Sequence, residues 1–526
     1  MLSYASGDRG VVAAGSARAV AAGVSILQGG GNAADAAVAT ILAMAVTDYG
    51  RFAIGGEVPF MIRDAARDEV KVLCGLGRAP LDEDTIRRFM ADGIPRKGDI
   101  KATPVPGAVG LCLTALRLHG SMSFERVARP VLSLLAEARE AWYLPLAKTF
   151  RRLIDAERSQ ATDREAGLEE AEHRFYRGDV AKELAAWIRM KGGVLEASDL
   201  EAHATRVEDP VCVEYRGHSI YKCGPWTQGP CLCQALRLID GFDLEAMGHL
   251  TPDYVHLLTE TLKLAMADRD EHYGDPDFVD VPLEELFGDD YTDLRRKLID
   301  IARASDEFRP GDPRRMRAIK RGTPMDPGPG GTTTCVVADR MGNVVAATPS
   351  CNPPYAVCDS LGISLGNRLR SLNTAEGHAN CIRPGKRPRI TLTPTIARAS
   401  DGRIIAVSVA GGDRQDQTTL NCLLNCLDFA MPPREAVVAP RFHTRHHQNS
   451  FDPNSDRAQA VTGRRQLVVG AGMTEEVVSE LGRRGHEVVR AKAPVADPVM
   501  LVFDPRTGMA HAAGDPDSGR HASAVE

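Results

Sequence analysis

The sequence predicts an α+β protein in which layers of helix pack on antiparallel sheet. Helical patterns and strand patterns occur in separate blocks along the chain, whereas a doubly wound parallel fold would alternate them unit by unit. The chain has 526 residues, of which 43% are hydrophobic. This length suffices for one large layered domain with a generous core, or for two or more ordinary domains.

The first clear element is an alanine-rich helix near the N-terminus. The stretch GGGNAADAAVAT opens it, with Asn32 as the N-cap and residues 33–46 as the apolar body. Because this body is too short for a membrane span and contains Asp35, we expect a buried helix. Further helical patterns occur at 108–119, 124–139, 180–192, 253–269, 416–428 and 473–483.

Strand patterns are clearest in the second half of the chain. Residues 334–348, TCVVADRMGNVVAAT, predict a hairpin that turns at Met341, Gly342 and Asn343. The other strand patterns occur at 389–397, 404–410 and 497–503. Ahead of the hairpin, residues 303–331 are charged, rich in Pro and Gly and almost free of large apolar residues, which predicts a mobile linker.

Charge and composition limit the classes of protein to which the chain can belong. Lys+Arg number 64 and Asp+Glu 70, a net charge of -6, so no basic field indicates a nucleic-acid partner. The 12 cysteines form no C-x-x-C pair, which is typical of free thiols in a reducing compartment. The N-terminal stretch lacks the basic head and apolar run of a secretory signal, so we expect a cytoplasmic protein without a membrane partner.

The common catalytic motifs are missing from the sequence. It contains no G-x-S-x-G elbow, no G-x-x-x-x-G-K-[ST] loop and no H-E-x-x-H helix. The cluster FHTRHH, residues 442–447, has metal-binding residue types, but Arg441, Arg445 and Asn449 around it suit a solvated loop. No cysteine or carboxylate pair completes a ligand set there, so we expect no metal and no organic cofactor.

The junction between linker and hairpin allows one specific chemistry. If Thr332 attacks the carbonyl carbon of Gly331, an N-to-O acyl shift followed by hydrolysis cuts the chain and makes Thr332 a new N-terminus. The free α-amine can then serve as general base for the hydroxyl of the same residue. Glycine at 331 offers the least steric resistance to a strained junction. A Gly-Thr pair is common, however, and an ordinary turn before a strand stays open at this point.

Five blocks of the sequence are informative when they are taken together. They are ILQGGGNAADAAVAT, ATPVPGAVGLCLTALRLHG, ETLKLAMADRDEHYGDPDFVDVP, TTTCVVADRMGN and PGKRPRITLTPTIARASDGR. Together they resemble the gamma-glutamyltransferase (glutathione hydrolase) family of N-terminal-nucleophile enzymes over nearly the whole chain. The resemblance implies a four-layered αββα sandwich, built from a large subunit, residues 1–331, and a small subunit, residues 332–526. It also implies a homodimer of that heterodimer.

The resemblance implies a catalytic site as well. The motif TTTCVVADRMGN gives the role of nucleophile to Thr332, and Ser350 takes the place of the hydroxyl that hydrogen-bonds the nucleophile. Gly411 and Gly412 match the pair whose N–H groups form the oxyanion hole. The positions expected to bind substrate are Asn352, Thr391, Arg368, Asp413 and Arg78.

Departures from the family pattern concern the substrate. Leu76 stands where the family has its carboxylate-binding arginine, and Ser371 where it has its amino-binding aspartate. Ile390 replaces the first of two serines, and Thr334 replaces the histidine of the nucleophile motif. Without both charged anchors, a zwitterionic glutamyl group loses most of its orientation, so glutathione is not the expected substrate.

The pairing of GRAP with GGDRQDQT resembles a divergent branch of the family that includes oxamate amidohydrolase and glutathione-hydrolase-like proteins. The predicted function is therefore self-cleavage followed by hydrolysis of a small anionic amide, oxamate-like, through an acyl-threonine. Three alternatives stay open: a gamma-glutamyl hydrolase or transpeptidase, a glutaryl-type acylase, and an uncleaved binding homologue without catalysis.

Overall fold

Two seven-stranded sheets lie face to face at the centre of the protein, and helices cover the outer face of each. The structure, a computed structural model, describes residues 3–160, 162–319, 331–353, 355–451 and 461–526. Its helices are α1 Ala17–Gln28, α2 Ala33–Thr47, α3 Glu83–Asp92, α4 Ala108–His119, α5 Phe124–Leu135, α6 Tyr143–Arg158, α7 Arg164–Tyr176, α8 Asp179–Met190, α9 Ala197–Glu201, α10 Pro230–Ile239, α11 Leu244–Met247, α12 Pro252–His272, α13 Leu283–Phe287, α14 Asp289–Arg296, α15 Gln415–Leu427, α16 Pro433–Ala436 and α17 Glu475–Arg483.

The strands are short and spread over the whole chain. They are β1 Tyr4–Gly7, β2 Gly10–Ala14, β3 Val58–Asp64, β4 Glu69–Gly75, β5 Arg206–Glu208, β6 Val211–Tyr215, β7 His218–Lys222, β8 Gly311–Asp312, β9 Arg317–Ala318, β10 Cys335–Asp339, β11 Val344–Ala347, β12 Ala356–Cys358, β13 Ile363–Leu365, β14 Thr395–Arg398, β15 Ile404–Ala410, β16 Phe442–Thr444, β17 His447–Gln448, β18 Val461–Thr462, β19 Gln466–Val469, β20 Glu487–Arg490, β21 Asp497–Asp504, β22 Met509–Gly514 and β23 His521–Ala524.

The two large sheets are antiparallel throughout. The first has the order β1-β22-β21-β15-β14-β7-β6, and the second has the order β23-β2-β10-β11-β3-β4-β5. Strand β10 is therefore an interior strand of the second sheet, between β2 and β11. Strand β15 lies in the middle of the first sheet.

The alternation of side chains along each strand explains the four layers. In β10, Val336 packs between the sheets and Val337 packs against the helices on the outside. In β15, Ala406 packs between the sheets and Val407 packs against the other helical layer. Because successive side chains of a strand point to opposite faces, a strand that is buried on both faces needs apolar residues at every position. The predicted αββα sandwich is confirmed.

The predicted N-terminal helix is also confirmed in detail. Helix α2 begins after Asn32, whose side chain accepts a hydrogen bond from Asp35 N, while the Asp35 carboxylate accepts one from Asn32 N. This reciprocal capping box satisfies two backbone donors at the start of the helix. Patterns in the sequence missed α6 and α7, which cover the same outer layer. No helix of the described ranges is long and apolar enough to cross a membrane.

The strand predicted at 389–397 is mostly wrong, because only Thr395–Arg398 forms a strand there. Side chains capture the backbone donors ahead of it: Arg387 N donates to Asp275 and Arg389 N donates to Asn380. These contacts replace the ladder of a neighbouring strand, and Ile390 makes only an isolated bridge. The pattern of apolar residues in a sequence cannot reveal such hydrogen bonds between side chains and backbone.

Part of the predicted linker has defined structure. Strand β8 pairs with β9, and Gly311 N donates to the carboxylate of Asp268 on α12 at 2.7 Å. Residues 320–330, the Pro/Gly-rich end of the linker, lie outside the described residues, so their mobility stays a prediction.

Candidate active site

The Gly331–Thr332 junction lies directly before strand β10. Thr332 is 7% exposed. The next residue is anchored twice, because Thr333 N donates to Pro349 O at 2.9 Å and Thr333 Oγ1 donates to Asp48 Oδ1 at 3.1 Å. The candidate nucleophile is thus held on a fixed backbone, three residues before the first residue of strand β10.

The backbone at Gly331 passes too close to its neighbours for any side chain. A Cβ atom there would lie 2.7 Å from Gly50 O and 3.1 Å from Arg51 Cα. Real Cβ atoms do not approach backbone oxygen so closely, so a larger residue would displace the junction. Position 331 therefore requires glycine because of the backbone of Gly50 and Arg51, which belong to the predicted large subunit.

Ser350 contacts the carbonyl that Thr332 would attack. Its hydroxyl donates to Gly331 O at 2.5 Å, and the side chain is fully buried. Ser350 is fixed by two backbone hydrogen bonds to Glu57, with N–O distances of 2.8 and 2.9 Å. The predicted hydrogen bond from Ser350 to Thr332 itself stays a prediction, because the observed bond goes to the adjoining carbonyl.

A buried ion pair supports Ser350. Arg368 Nη2 donates to Ser350 Oγ at 2.7 Å, and Arg368 Nε donates to Glu57 Oε1 at 2.6 Å. Both charged side chains are at most 3% exposed. Burial raises the pKa of Glu57, although Arg368 and Ser350 favour the ionised form. We call Gly331, Ser350, Arg368 and Glu57 the junction network.

Two buried nitrogen donors, one within the junction network and one beside it, have no partner among the described residues. They are Arg368 Nη1 and Asn352 Nδ2. Asn352 O accepts a hydrogen bond from Asn367 N at 3.1 Å, which places Asn352 next to the turn that carries Arg368. Thr391, another predicted substrate residue, likewise has a buried Oγ1 without a partner in the described ranges. A buried donor without a protein acceptor can bind an acceptor atom of a ligand or an ordered water.

The Gly411–Gly412 turn follows strand β15. Gly412 has φ of 60°, in the left-handed region that favours glycine, and a Cβ there would lie 3.3 Å from the Phe451 ring. The guanidinium carbon of Arg368 lies 5.5 Å from the centroid of the same ring. Phe451 therefore contacts both the turn and the junction network.

Two further contacts join the junction and the turn at one end of the sandwich. Thr348, which follows β11, shares a 2.9 Å hydrogen bond with Ser408 of β15. Arg51, which packs against Gly331, forms an ion pair with Asp497, and Asp497 pairs with Ala410 at the end of β15. The structure thus brings together the predicted nucleophile, hydroxyl and glycine pair.

Asp413 anchors the turn. Its Oδ1 accepts hydrogen bonds from Arg269 Nη1 at 2.7 Å and from the Ser450 hydroxyl, and its Oδ2 accepts one from Ser450 N at 3.2 Å. Burial opposes ionisation, but Arg269, His447 and Arg389 hold the pKa of Asp413 well below its ordinary value. The substrate role of Asp413 stays a prediction, since these contacts are within the protein. We call this second group the turn network; its members are Gly411, Gly412, Asp413, Arg269 and Ser450.

Arg78 lies in a separate ion cluster. Its Nη2 is 3.7 Å from the carboxylate of Asp277, which also pairs with Arg206, and the Arg78 side chain is 33% exposed. Its role in substrate binding stays a prediction.

The histidines of FHTRHH are buried on strands β16 and β17 and in the connection between them, so the solvated loop expected for this cluster is wrong. Gln417 of α15 draws this segment into the core, because its side chain donates to Thr444 O and accepts from Thr444 N. Desolvation lowers the pKa of His446 to about 2. His446 is therefore a buried histidine in its neutral form.

One cluster of side chains in the described ranges has ligand atoms close enough together to hold a metal ion. Ligand atoms of His256, Glu260 and His486 lie within 4.8 Å of one another. However, Glu260 already pairs with Lys263 at 2.5 Å and Arg309 at 3.1 Å, and the two histidines share a 2.8 Å hydrogen bond. Because two cations neutralise its carboxylate, this group suits an internal ion-pair network.

Sequence reasoning missed Glu57. A signal was present, because Glu57 is the one charged residue in AIGGEVPFMI, residues 53–62. A single carboxylate in an otherwise apolar run indicates a buried charge that needs a partner.

Comparison with known proteins gives consistent matches along the chain. A family model described as gamma-glutamyltranspeptidase matches residues 19–140 and 140–525. The chain is 28% identical to the glutathione hydrolase proenzyme of Bacillus subtilis (strain 168), covering 99% of this chain and 92% of that protein. It is 30% identical to the acylase ACY 1 proenzyme of Pseudomonas sp. (strain SE83), covering 95% and 91%. The solved structure of LmbA2991HD is 33% identical, with a TM-score of 0.86 and 98% of both chains covered.

Proposed function

The chain belongs to the gamma-glutamyltranspeptidase family, and from this premise we propose that it cuts itself between Gly331 and Thr332 and then hydrolyses a small anionic amide. The observation that carries the proposal is the 2.5 Å hydrogen bond from Ser350 to the Gly331 carbonyl, at a glycine whose backbone admits no side chain. The junction is therefore arranged so that attack by Thr332 meets a polarised carbonyl. The names of the proenzymes from Bacillus and Pseudomonas agree with processing of a precursor.

Hydrolysis then uses the new N-terminus. The Thr332 amine takes the proton of Oγ1 as Oγ1 attacks the amide carbon, and it passes this proton to the departing amine. Water attacks the resulting ester, releases the acid and returns a proton to Oγ1. The N–H groups of Gly411 and Gly412 donate to the oxyanion in both steps, which typically lowers the barrier by about 3 kcal/mol per donor.

A substrate that carries a carboxylate or a second carbonyl group fits the hydrogen-bond donors of the site. Arg368 Nη1 and Asn352 Nδ2 are buried without a partner in the described ranges, so they would receive a carboxylate or a second carbonyl, as oxamate offers. At the positions of the family's two charged anchors, Leu76 and Ser371 are buried and uncharged. A gamma-glutamyl group would find no charged group at either position.

A glutaryl-type acylase is the second candidate. It is favoured by the 30% identity to the Pseudomonas protein named an acylase. It is also favoured by Leu76, which is 2% exposed, because an apolar side chain there suits a substrate without an α-carboxylate. Both candidates use the same acyl-Thr332 chemistry and differ only in the acyl group.

A direct substrate comparison tests the proposal. Purified protein is incubated with oxamate, a glutaryl amide and a gamma-glutamyl anilide, and intact mass is recorded during turnover. We expect ammonia release from oxamate and an acyl adduct on the fragment 332–526, both absent from Thr332→Ala. Turnover of the gamma-glutamyl anilide alone would overturn the assignment of the substrate class, and turnover of the glutaryl amide alone would favour the acylase.

A further inference from the structure

We propose that Arg368, held by Glu57, is a positioning residue for self-cleavage, because it fixes the Ser350 hydroxyl on the Gly331 carbonyl. The inference rests on the proposed function, since it concerns the same Gly331–Thr332 bond. It adds a role that the sequence did not indicate for either charged residue.

The hydrogen bonds of the junction network run in one direction. Arg368 Nη2 donates to Ser350 Oγ at 2.7 Å, and Ser350 Oγ donates its only proton to Gly331 O at 2.5 Å. A hydroxyl that accepts from a guanidinium becomes a stronger donor, because each bond polarises the next at low local dielectric. The charge of Arg368 is thus transmitted to the scissile carbonyl through one oxygen atom.

Glu57 makes this arrangement possible. A lone arginine in a fully buried position would be strongly unfavourable, and a carboxylate partner offsets that cost. Glu57 accepts from Arg368 Nε, which fixes the plane of the guanidinium, and its backbone is bonded in both directions to Ser350. Donor, positioning residue and counter-ion therefore form one rigid unit.

The step that this unit assists is the N-to-O acyl shift. Thr332 Oγ1 forms a bond to the Gly331 carbonyl carbon, whose oxygen becomes an oxyanion that accepts from Ser350. The C–N bond to Thr332 then breaks, and the Oγ1 proton ends on the new amine. Water attacks the ester, gives the Gly331 carboxylate and returns a proton to Oγ1. Ser350 and Arg368 keep their protons throughout.

A double-mutant cycle on the full chain tests the role of Arg368. The precursor is purified rapidly, and the appearance of the fragments 1–331 and 332–526 is timed by intact mass. We expect Ser350→Ala to slow cutting by about 100- to 1000-fold, because it removes the donor to the oxyanion. Arg368→Met should slow it by about 10- to 100-fold. The double variant should be no slower than Ser350→Ala, because Arg368 acts through Ser350.

A matched control separates positioning from general damage to the core. Arg387 is as buried as Arg368, each at 1%, and pairs with the buried carboxylate of Asp275. Arg387→Met therefore removes an equally buried arginine whose ion pairs, with Asp275 and Glu208, lie elsewhere, and we expect its cutting rate to stay within about twofold of the wild type. An equal slowing in both arginine variants would overturn the inference.

The outcomes for the inference and for the proposed function are distinguishable. If the wild type is cut and Arg368→Met is cut equally fast, the inference alone is overturned. Single effects that multiply in the double variant would also overturn it, since Arg368 would then act independently of Ser350. If the wild-type chain stays whole, both fail together.

A milder variant covers the case in which Arg368→Met does not fold. Glu57→Gln keeps the shape of the side chain but removes its charge, and we expect about tenfold slower cutting. Combined with Ser350→Ala, it should again add no further slowing. An unchanged rate in Glu57→Gln would overturn the inference.

Discussion

The junction network and the turn network each contain a buried carboxylate paired with a buried arginine, yet the two carboxylates behave in opposite ways. Arg368 is the one cation that contacts Glu57 in the junction network, and burial raises the pKa of Glu57. Asp413 in the turn network is surrounded by Arg269, His447 and Arg389, and its pKa lies well below the ordinary value. Equal burial therefore accompanies pKa shifts in opposite directions, depending on the charges and hydrogen bonds that compensate the burial.

The proposed function assigns the two networks different tasks. The turn network would hold the backbone of Gly411 and Gly412 in the one conformation that the proposed oxyanion hole needs at every turnover. The junction network would act once, on the chain itself, and its Arg368 Nη1 is a buried donor without a partner in the described ranges. We expect changes to the two networks to affect stability, turnover and self-cleavage separately.

The largest expected effect comes from breaking the turn network. Asp413→Asn should lower the free energy of unfolding by about 3 kcal/mol, because it removes one of the two buried carboxylates, Asp413 and Asp270, that pair with Arg269. Denaturant unfolding of the uncut Thr332→Ala chain gives this value. Asp84→Asn, which removes an exposed ion pair, is the control and should change stability little. Equal losses in both variants would show that the turn network has no special role.

The next effect separates turnover from self-cleavage. Gly412→Ala should lower kcat/KM by about 100-fold, because a side chain strains the left-handed turn and contacts Phe451, displacing the N–H donor. Self-cleavage should remain close to the wild-type rate. Turnover is measured by product release and cleavage by intact mass. Loss of both activities together would contradict a separation of the two networks.

Acid should affect self-cleavage before it affects the fold. The raised pKa of Glu57 means that its charge is present above that pKa and is lost as pH falls through it. The rate of cutting should then fall as the pH drops through that pKa and level off about tenfold lower, near the rate of Glu57→Gln. The contribution of Asp413 to stability is present above its unfolded pKa, near 3.8, and is lost only as pH falls through its depressed folded pKa.

The control for the acid effect is Glu57→Gln, whose rate should no longer depend on pH in this range. Cutting is followed from pH 4 to 8 with near-UV circular dichroism to confirm the fold. An acid limb that persists in Glu57→Gln would assign the effect to another group.

The smallest expected effect concerns the anchor of the junction. Thr333→Val removes the 3.1 Å hydrogen bond to Asp48, which should cost about 1 kcal/mol of stability. Because Thr333 N keeps its bond to Pro349 O, the rate of cutting should fall by no more than about fivefold. A loss as large as that of Ser350→Ala would mean that Thr333 takes part in the chemistry.

Elements with a local signal could be predicted from the sequence. The hairpin of β10 and β11 follows from alternating apolar residues around Met341, Gly342 and Asn343, and the start of α2 follows from Asn32 and Asp35. The resemblance of TTTCVVADRMGN to the family motif placed Thr332 shortly before the same hairpin, whose first strand begins at Cys335. Each of these signals lies within about twenty residues of sequence.

Contacts between distant residues could not be predicted in the same way. Glu57 and Arg368 are 311 positions apart, and no feature of either segment indicates that the two residues pair. The burial of FHTRHH depends on Gln417, which comes from a helix outside that segment. Arg368 was expected to bind substrate, and only the fold reveals that two of its nitrogens already contact Glu57 and Ser350.

The most direct test of the central claim is intact mass and N-terminal sequencing of the purified wild-type chain beside Thr332→Ala. The account predicts two wild-type fragments, 1–331 and 332–526, with the smaller one beginning TTTCVV, and a single whole chain in the variant. A wild-type chain that stays whole, or one cut at another bond, would contradict it.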